Sequence, residues 1–487
     1  MSAFLYPDMP GTGEHLSTPL SPFENLPLDV IEEICVACLD TTAPSAMSPR
    51  EVPLLLTSIS PHLRHVALNT PKLWTSISVF DANAPFRRRL QVPKRAHDPL
   101  DIARAQLRIE VVKMWLRLSG NMPLSIHYVG PSGYPVKIDV LLEQAMTDVF
   151  LSCCSRWQDI DFELRNCSAV CVAKLTAPDV PLLRSLRLRS TDSNGSFLLS
   201  STLLQAPALN ILSLAGVGRH IIKYPAIWAN ITHLVLHGVD AGRESTAGLA
   251  RLSTMATRLV SLDISLQNHS QVWLHQLQHD HVIVLPCVQV LSITEPHRLG
   301  IVRTIHAPAL RTLILRNIPH PPELTALLSC SPVLRKLDLC CDDFGALVKP
   351  LRACTALTSL RAVPLEMPYP RASGSYDNVL DAFVYDDERD RVCPRLEVLD
   401  CEAFTLDVSF TALYRFITRK QGRVPGLSRW KKLCMHVRFE QDEHQAIKAL
   451  ISEQRQAGSV LSITRDAREG FYLLQTSANN AISLELP

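Results

Sequence analysis

Glycine is scarce in this chain, 18 residues in 487, and the scarcity bounds its chemistry. Loops that wrap phosphate groups need glycine wherever the backbone must approach the ligand closely. No phosphate loop, dinucleotide fingerprint or Gly-x-Ser-x-Gly elbow is present. Charge of one sign is also lacking: Lys plus Arg number 49 and Asp plus Glu 47, a net charge of +2. No global field therefore exists to hold nucleic acid. No apolar run approaches the ~18 residues a membrane-spanning helix requires, so no membrane association is expected. The opening MSAFLYPDMPGTGEHLSTPLSP has neither the basic start nor the apolar stretch of a signal sequence. Cytoplasmic and/or nuclear residence is the expectation.

The 14 cysteines lack the regular spacing of a disulfide framework. Cys35 and Cys38 form a lone CxxC inside an expected helix, with no second pair at zinc-ribbon distance. His275, His279 and His281, with Asp280, bring imidazole and carboxylate together, but no general base at HExxH spacing accompanies them. The reading is a protein with no catalytic residue, no metal site and no cofactor, and not an enzyme.

What the chain does contain is a rhythm. APALNILSLAGV, beginning at Ala206, returns as APALRTLILRNI from Ala307, and the Leu-x-x-Leu-x-Leu core recurs between them at Ile231/Leu234/Leu236, Leu259/Leu262/Ile264 and Val288/Leu291/Ile293. The middle residues Leu212, Leu234, Leu262, Leu291 and Leu313 are separated by 22, 28, 29 and 22 residues. Periods of 20 to 29 residues are those of leucine-rich repeats. A pair such as Leu212 and Leu214 points to one face of a short strand, and one such strand cannot shelter its own leucines. Parallel stacking shelters them, at roughly 1.5 to 3 kcal/mol for each leucine fully buried. The bend that usually holds Asn or Cys is filled by Val217, Val239 and Ile318. Segments such as PELTALLSCSPV place apolar residues at helical spacing between strands, with Cys330 and Cys354 expected as small buried caps of the helix layer. The spacing widens at YPRASGSYDNVLDAFVYDDERDR, an expected exposed loop over about 370 to 391.

Residues 1 to 21, rich in Pro, Ser, Thr and Gly, read as a disordered tail with Thr18-Pro19 and Ser21-Pro22. FENLPLDVIEEICVACL follows, with a helix start at Pro27 and Val30, Ile31 and Ile34 on one stripe. Leu26-Pro27, Val30-Ile31, Ile34, Leu39, Leu55-Leu56, Ile59 and Pro71-Lys72-Leu73-Trp74 together resemble an F-box. DTTAPSAMSPRE after Leu39, Ser60-Pro61 inside the usual second helix, and Leu63 where Trp is common are departures from its pattern. WLRLSGNMPLSIHY, from Trp115, resembles a signature that stands between F-box and repeats in many proteins of mushroom-forming fungi.

The resemblance implies an F-box protein with degenerate leucine-rich repeats, docking on a Skp-family adaptor, and through it a cullin, by way of Leu26, Pro27, Val30, Ile31, Ile34, Leu55, Leu56 and Trp74. A client protein would be held by the repeats. The expected fold is an α/β solenoid: an all-helical F-box at 22–80, a basic linker containing Arg87 to Ala96 and a connecting helix at 81–120, an irregular horseshoe of about ten repeats at 121–435, and a small α/β cap at 436–487. The implied function is the substrate-recognition subunit of a ubiquitin ligase. The alternative is a leucine-rich-repeat interaction scaffold with no ligase role.

Overall fold

The computed structural model describes residues 26–39, 47–80, 99–130, 137–190, 198–218, 223–240, 243–267, 282–295, 301–316, 321–341, 344–364, 376–385, 391–420, 426–438, 445–446, 449–450, 452–453, 461–465 and 471–477. The tail at residues 1–21, residues 40–46 of the DTTAPSAMSPRE insertion, the basic run Arg87 to Ala96, the cluster of His275, His279, His281 and Asp280, and residues 370–375 and 386–390 lie outside these residues. The described part of the 370–391 segment is not an exposed loop: it forms a helix at Asp377–Ala382 and buries Val379, Leu380 and Phe383. The chain forms two compact units, residues 1–158 and 159–487.

The first unit opens with helices α1 (Leu28–Ala37), α2 (Leu54–Ile59) and α3 (Pro61–Asn69), then a 3-10 turn at Pro71–Trp74. Ser60-Pro61 separates α2 from α3 by a capping mechanism. The Ser60 hydroxyl accepts the Leu63 N–H at 3.1 Å, and Pro61 occupies a first-turn position whose N–H would be unpaired in any case. The chain then becomes strand β1 (Ser76–Phe80), helix α4 (Pro99–Leu118), strand β2 (Leu124–Val129) and helix α5 (Lys137–Leu151). β1 and β2 pair in parallel, with Ile77 opposite Ile126 and Val79 opposite Tyr128. All four of these side chains are buried.

The second unit is built on a long sheet. Its elements are β3 (Trp157–Leu164, entering from the end of the first unit), α6 (Asn166–Ala173), β4 (Ser185–Ser190), β5 (Ile211–Gly218), β6 (His233–Asp240), α7 (Arg243–Met255) and β7 (Ser261–Gln267). Then follow β8 (Ile283–Val284), β9 (Val290–Thr294), β10 (Ile305–His306), β11 (Thr312–Arg316), α8 (Pro321–Ser329), β12 (Lys336–Cys341), α9 (Val348–Leu351) and β13 (Ser359–Pro364). The unit ends with α10 (Asp377–Ala382), β14 (Val398–Asp407), α11 (Phe410–Thr418), β15 (Lys432–Arg438), β16 (Leu461–Arg465) and β17 (Phe471–Ser477). From β3 onward the order is β3-β4-β5-β6-β7-β9-β11-β12-β13-β14-β15-β17-β16, while β8 and β10 make a separate parallel pair. Pairing is parallel up to β15, and β17 and β16 then add in antiparallel fashion.

Register fixes the core. Ile160, Leu186, Leu212, Leu234, Leu262, Leu291, Leu313, Leu337, Leu360, Leu399 and Leu433 stand opposite one another from strand to strand, in one unbroken column. Every one of them is buried. A second buried column two residues on runs from Phe162 through Leu188, Leu214, Leu236, Ile264, Ile293, Leu315 and Leu339 to Ala362. Side chains of a strand alternate between faces, so both columns enter the same core.

Each strand entry is held by one shared carbonyl. The Asn210 and Ile211 amides both donate to the Arg184 carbonyl, Thr232 and His233 to Asn210, Val260 and Ser261 to Thr232, and Gln289 and Val290 to Val260. The relay continues through Gln289, Arg311, Arg335, Thr358 and Glu397 as acceptors. Backbone thus satisfies backbone where these strands begin.

The expected architecture of an all-helical head, a repeat horseshoe and a separate cap is not the one adopted. The layout is α/β throughout, a large parallel sheet with mixed helices. The first three helices run directly into β1, whose alternating Ile77 and Val79 bury against β2, so the N-terminal unit is not all-helical. At the other end, β17 and β16 extend the sheet edge at β15 instead of closing a separate cap, because the backbone of β15 offers an unpaired edge to the next strand. Among the described residues no helix is long and apolar enough to cross a membrane.

Candidate functional site

The sequence-derived residues fall into two classes within the first unit. Ile31 lies on the inner side of α1 with Cys35, Leu56 on the inner side of α2, and Trp74 in the core; all four are buried, Ile31 at 0% exposure. Trp74 is fixed twice: its Nε1–H donates to the Ala67 carbonyl at 2.8 Å, and its ring meets Trp115 edge to face with centroids 4.8 Å apart. These residues build the core of the unit. Leu26, Pro27, Val30, Ile34 and Leu55 are exposed.

Val30 and Ile34 stand one helical turn apart, as do Ile31 and Cys35, and the two pairs project in directions about 100° apart. One apolar stripe in the sequence is therefore two ridges in the structure, one inward and one outward. α2 repeats the arrangement, with Leu56 inward and Leu55 and Ile59 outward, Ile59 at 58% exposure. Leu28 is also exposed. Neither Leu28 nor Ile59 was among the residues assigned to docking; the signal for Ile59 was its i, i+4 relation to Leu55.

α3 packs against both α1 and α2, and α1 also packs on the Pro71–Trp74 turn. Lys72 Nζ reaches Glu33 Oε1 at 3.3 Å across that contact, an exposed pair that contributes little to stability. Exposed leucine, valine and isoleucine gathered on two short helices over a packed tryptophan core are suited to bury themselves against an apolar partner surface.

A second cluster, missed by the sequence reading, surrounds Lys420 just after α11. Its side chain is fully buried. Nζ donates to the Leu396 carbonyl at 3.0 Å and the Pro394 carbonyl at 3.4 Å, and stands 4.9 Å from the centre of the Trp430 ring. Burial disfavours the ammonium and pushes its pKa down to about 8, against the opposing influence of Cys393 and Glu397. Cys393 is a non-glycine residue with φ of 46°, and its thiol, raised well above the usual value by burial, donates to the Leu351 carbonyl at 3.4 Å. Both groups are spent on backbone carbonyls, so the cluster fastens the entry of β14 and presents no nucleophile. No sequence signal short of the burial of α11 marks it.

Cys354 is buried and its thiol is pushed up to about 12, which leaves it inert, while Cys330 is half-buried. Cys35 is buried and Cys38 exposed. Among the described residues no group of three or more His, Cys, Asp or Glu side chains is placed to hold a metal. No protein-family model matches the chain, and no curated protein matches it.

Proposed function

We propose that this chain is the substrate-recognition subunit of a Skp-cullin-F-box ubiquitin ligase. One observation carries the reading: Leu26, Leu28, Val30 and Ile34 at α1, with Leu55 and Ile59 on α2, are exposed although each is strongly apolar. Leaving six such side chains in water forgoes roughly 1 to 2 kcal/mol apiece, a cost that a partner surface recovers on binding. The Skp-family adaptor is that partner, and a cullin joins through it. The client protein binds the second unit, the bond-making chemistry belongs to other subunits, and the complex works in the cytoplasm and/or nucleus.

Replacing Leu26 and Ile34 together by Asp tests the reading. Both side chains are exposed, so the fold should be retained while co-purification with the Skp adaptor is lost. An unchanged pull-down would leave an interaction scaffold outside the ligase.

A further inference from the structure

The face of the long sheet opposite the leucine columns carries its charge unevenly. At the first strands Asp159, Asp161 and Glu163 balance Arg184, Arg187 and Arg189, and Asp161 lies between two of them, 3.8 Å from Arg187 and 3.4 Å from Arg189. The central strands β5 to β9 place mostly small or neutral residues there, among them Ser213, Ser265, Ser292 and Thr294, beside the acid Asp263. From β11 to β15 the balance changes. Arg316, Arg335, Lys336, Arg361, Lys431 and Lys432 are met by Asp338, Glu397 and Asp400 among the described side chains.

At β11 to β15 the bases also stand above the acids. The Asp338 side chain is 10% exposed while its partners Arg316 and Arg361 are 37% and 52% exposed. Asp400 at 24% sits below Lys432 at 54%, and Glu397 at 29% below Lys431 at 67%. The acids are sunk and the bases stand out, as they do at the first strands, where Asp161 at 22% and Glu163 at 17% lie below Arg187 at 55% and Arg189 at 43%; what sets β11 to β15 apart is the excess of bases over acids. Arg316 spends one N–H on Asp338 Oδ2 at 3.1 Å and one on the Cys340 sulfur at 3.7 Å; Arg361 reaches that same Oδ2 through Nη1 at 3.7 Å, an ion pair beyond hydrogen-bond length, and is 52% exposed, so its guanidinium is accessible to a carboxylate from solvent. Lys336 is exposed. Ile314 and Val363, half-buried, give the bases an aliphatic floor.

We propose that this face, from β11 to β15, seats a carboxylate-rich, extended segment of the client polypeptide. The strands are about 4.8 Å apart and Lys432 is in register with Thr312, four residues before Arg316, so Arg316 and Lys432 lie roughly 23 Å apart, the reach of about seven extended residues. Single positive charges distributed at strand spacing match side-chain carboxylates along a peptide better than one concentrated dianion. Nucleic acid fits poorly, because the described residues of this face from Thr312 to Cys434 include no Phe, Tyr or Trp on which a base can stack. The proposal rests on the substrate-receiving reading for the source of the segment and not for its chemistry.

The test is fluorescence anisotropy of the full chain with a labelled hexaglutamate peptide and a hexaglutamine control. Hexaglutamate should bind, more weakly as salt rises, and Arg361→Glu with Lys432→Glu should weaken it by about tenfold or more, whereas Arg187→Glu at the balanced end should change it by less than about twofold. Arg361→Gln with Lys432→Gln supplies a milder pair should the reversal disturb folding, with an intermediate loss expected. Equal binding of hexaglutamine, or unchanged affinity in both pairs, overturns the proposal. So does much tighter binding of a phosphoserine peptide of equal charge, or of single-stranded DNA, each of which would assign the face to another partner. The Leu26→Asp, Ile34→Asp variant should bind hexaglutamate normally, so failure here and failure of adaptor docking are read separately.

Discussion

Trp74 meets Trp115 edge to face at 4.8 Å, and the same Trp74 donates its indole N–H to the carbonyl of Ala67. A residue that the F-box resemblance assigns to docking is thereby committed to holding α3, the following turn and α4 together. Replacing it separates folding from binding. Trp74→Phe removes the hydrogen bond and part of the ring, and should cost about 1 to 3 kcal/mol, seen as a lowered melting temperature. The surviving folded protein should still bind adaptor. Lost binding at unchanged stability would return Trp74 to the interface.

The leucine columns invite a graded test. Leu291 is fully buried in the middle of its column, and Leu291→Ala should destabilise by about 2 to 5 kcal/mol in urea unfolding. Its neighbour Ser292 points to the opposite face, and Ser292→Ala should stay within about 0.5 kcal/mol of wild type. Equal effects at the two positions would mean that the strand does not present its faces as described.

Lys420 gives stability a dependence on pH. Its ammonium is held down at about 8 against an ordinary 10.5. Below pH 8 the folded and unfolded chains both carry the proton, and the fold bears the cost of a buried charge. Between about 8 and 10.5 the unfolded chain keeps a proton that the folded chain has released, so this group adds stability as pH rises, by on the order of 3 kcal/mol in full. Cys354, Cys393 and Cys401 act the other way: their thiols are raised by burial above 9.0, and their contribution is lost as pH climbs past that value. The quantity to measure is therefore the difference between wild type and Lys420→Met in urea titrations across that range. Wild type should gain on the variant from pH 8 upward; a constant difference would show that Lys420 is solvated.

Much of the second unit could be read from spacing alone. Leu212, Leu234, Leu262, Leu291 and Leu313, marked by their separations, lie in one column, because a parallel strand shelters its leucines only when the next one falls in register. The first unit was less legible. SISVF is only five residues long and serine-rich, and its strand character comes from a backbone partner 49 residues away in register at Ser78 and His127, a relation that leaves no periodic trace. The additions at β17 and β16 are similarly decided by an available edge. In the candidate site the sequence located the apolar helix but could not divide it, because Val30, Ile31 and Ile34 look like one stripe until α3 and the Pro71–Trp74 turn select which of them turns inward.

Calorimetric titration of the full chain with a purified Skp-family adaptor addresses the exposed helices themselves. Wild type should bind one adaptor with a negative heat-capacity change, the mark of apolar burial, and Leu26→Asp with Ile34→Asp should abolish the heat while far-UV circular dichroism stays the same. Absence of binding by wild type, or undiminished binding by the double variant, would contradict the assignment of Leu26, Val30 and Ile34 to an adaptor interface.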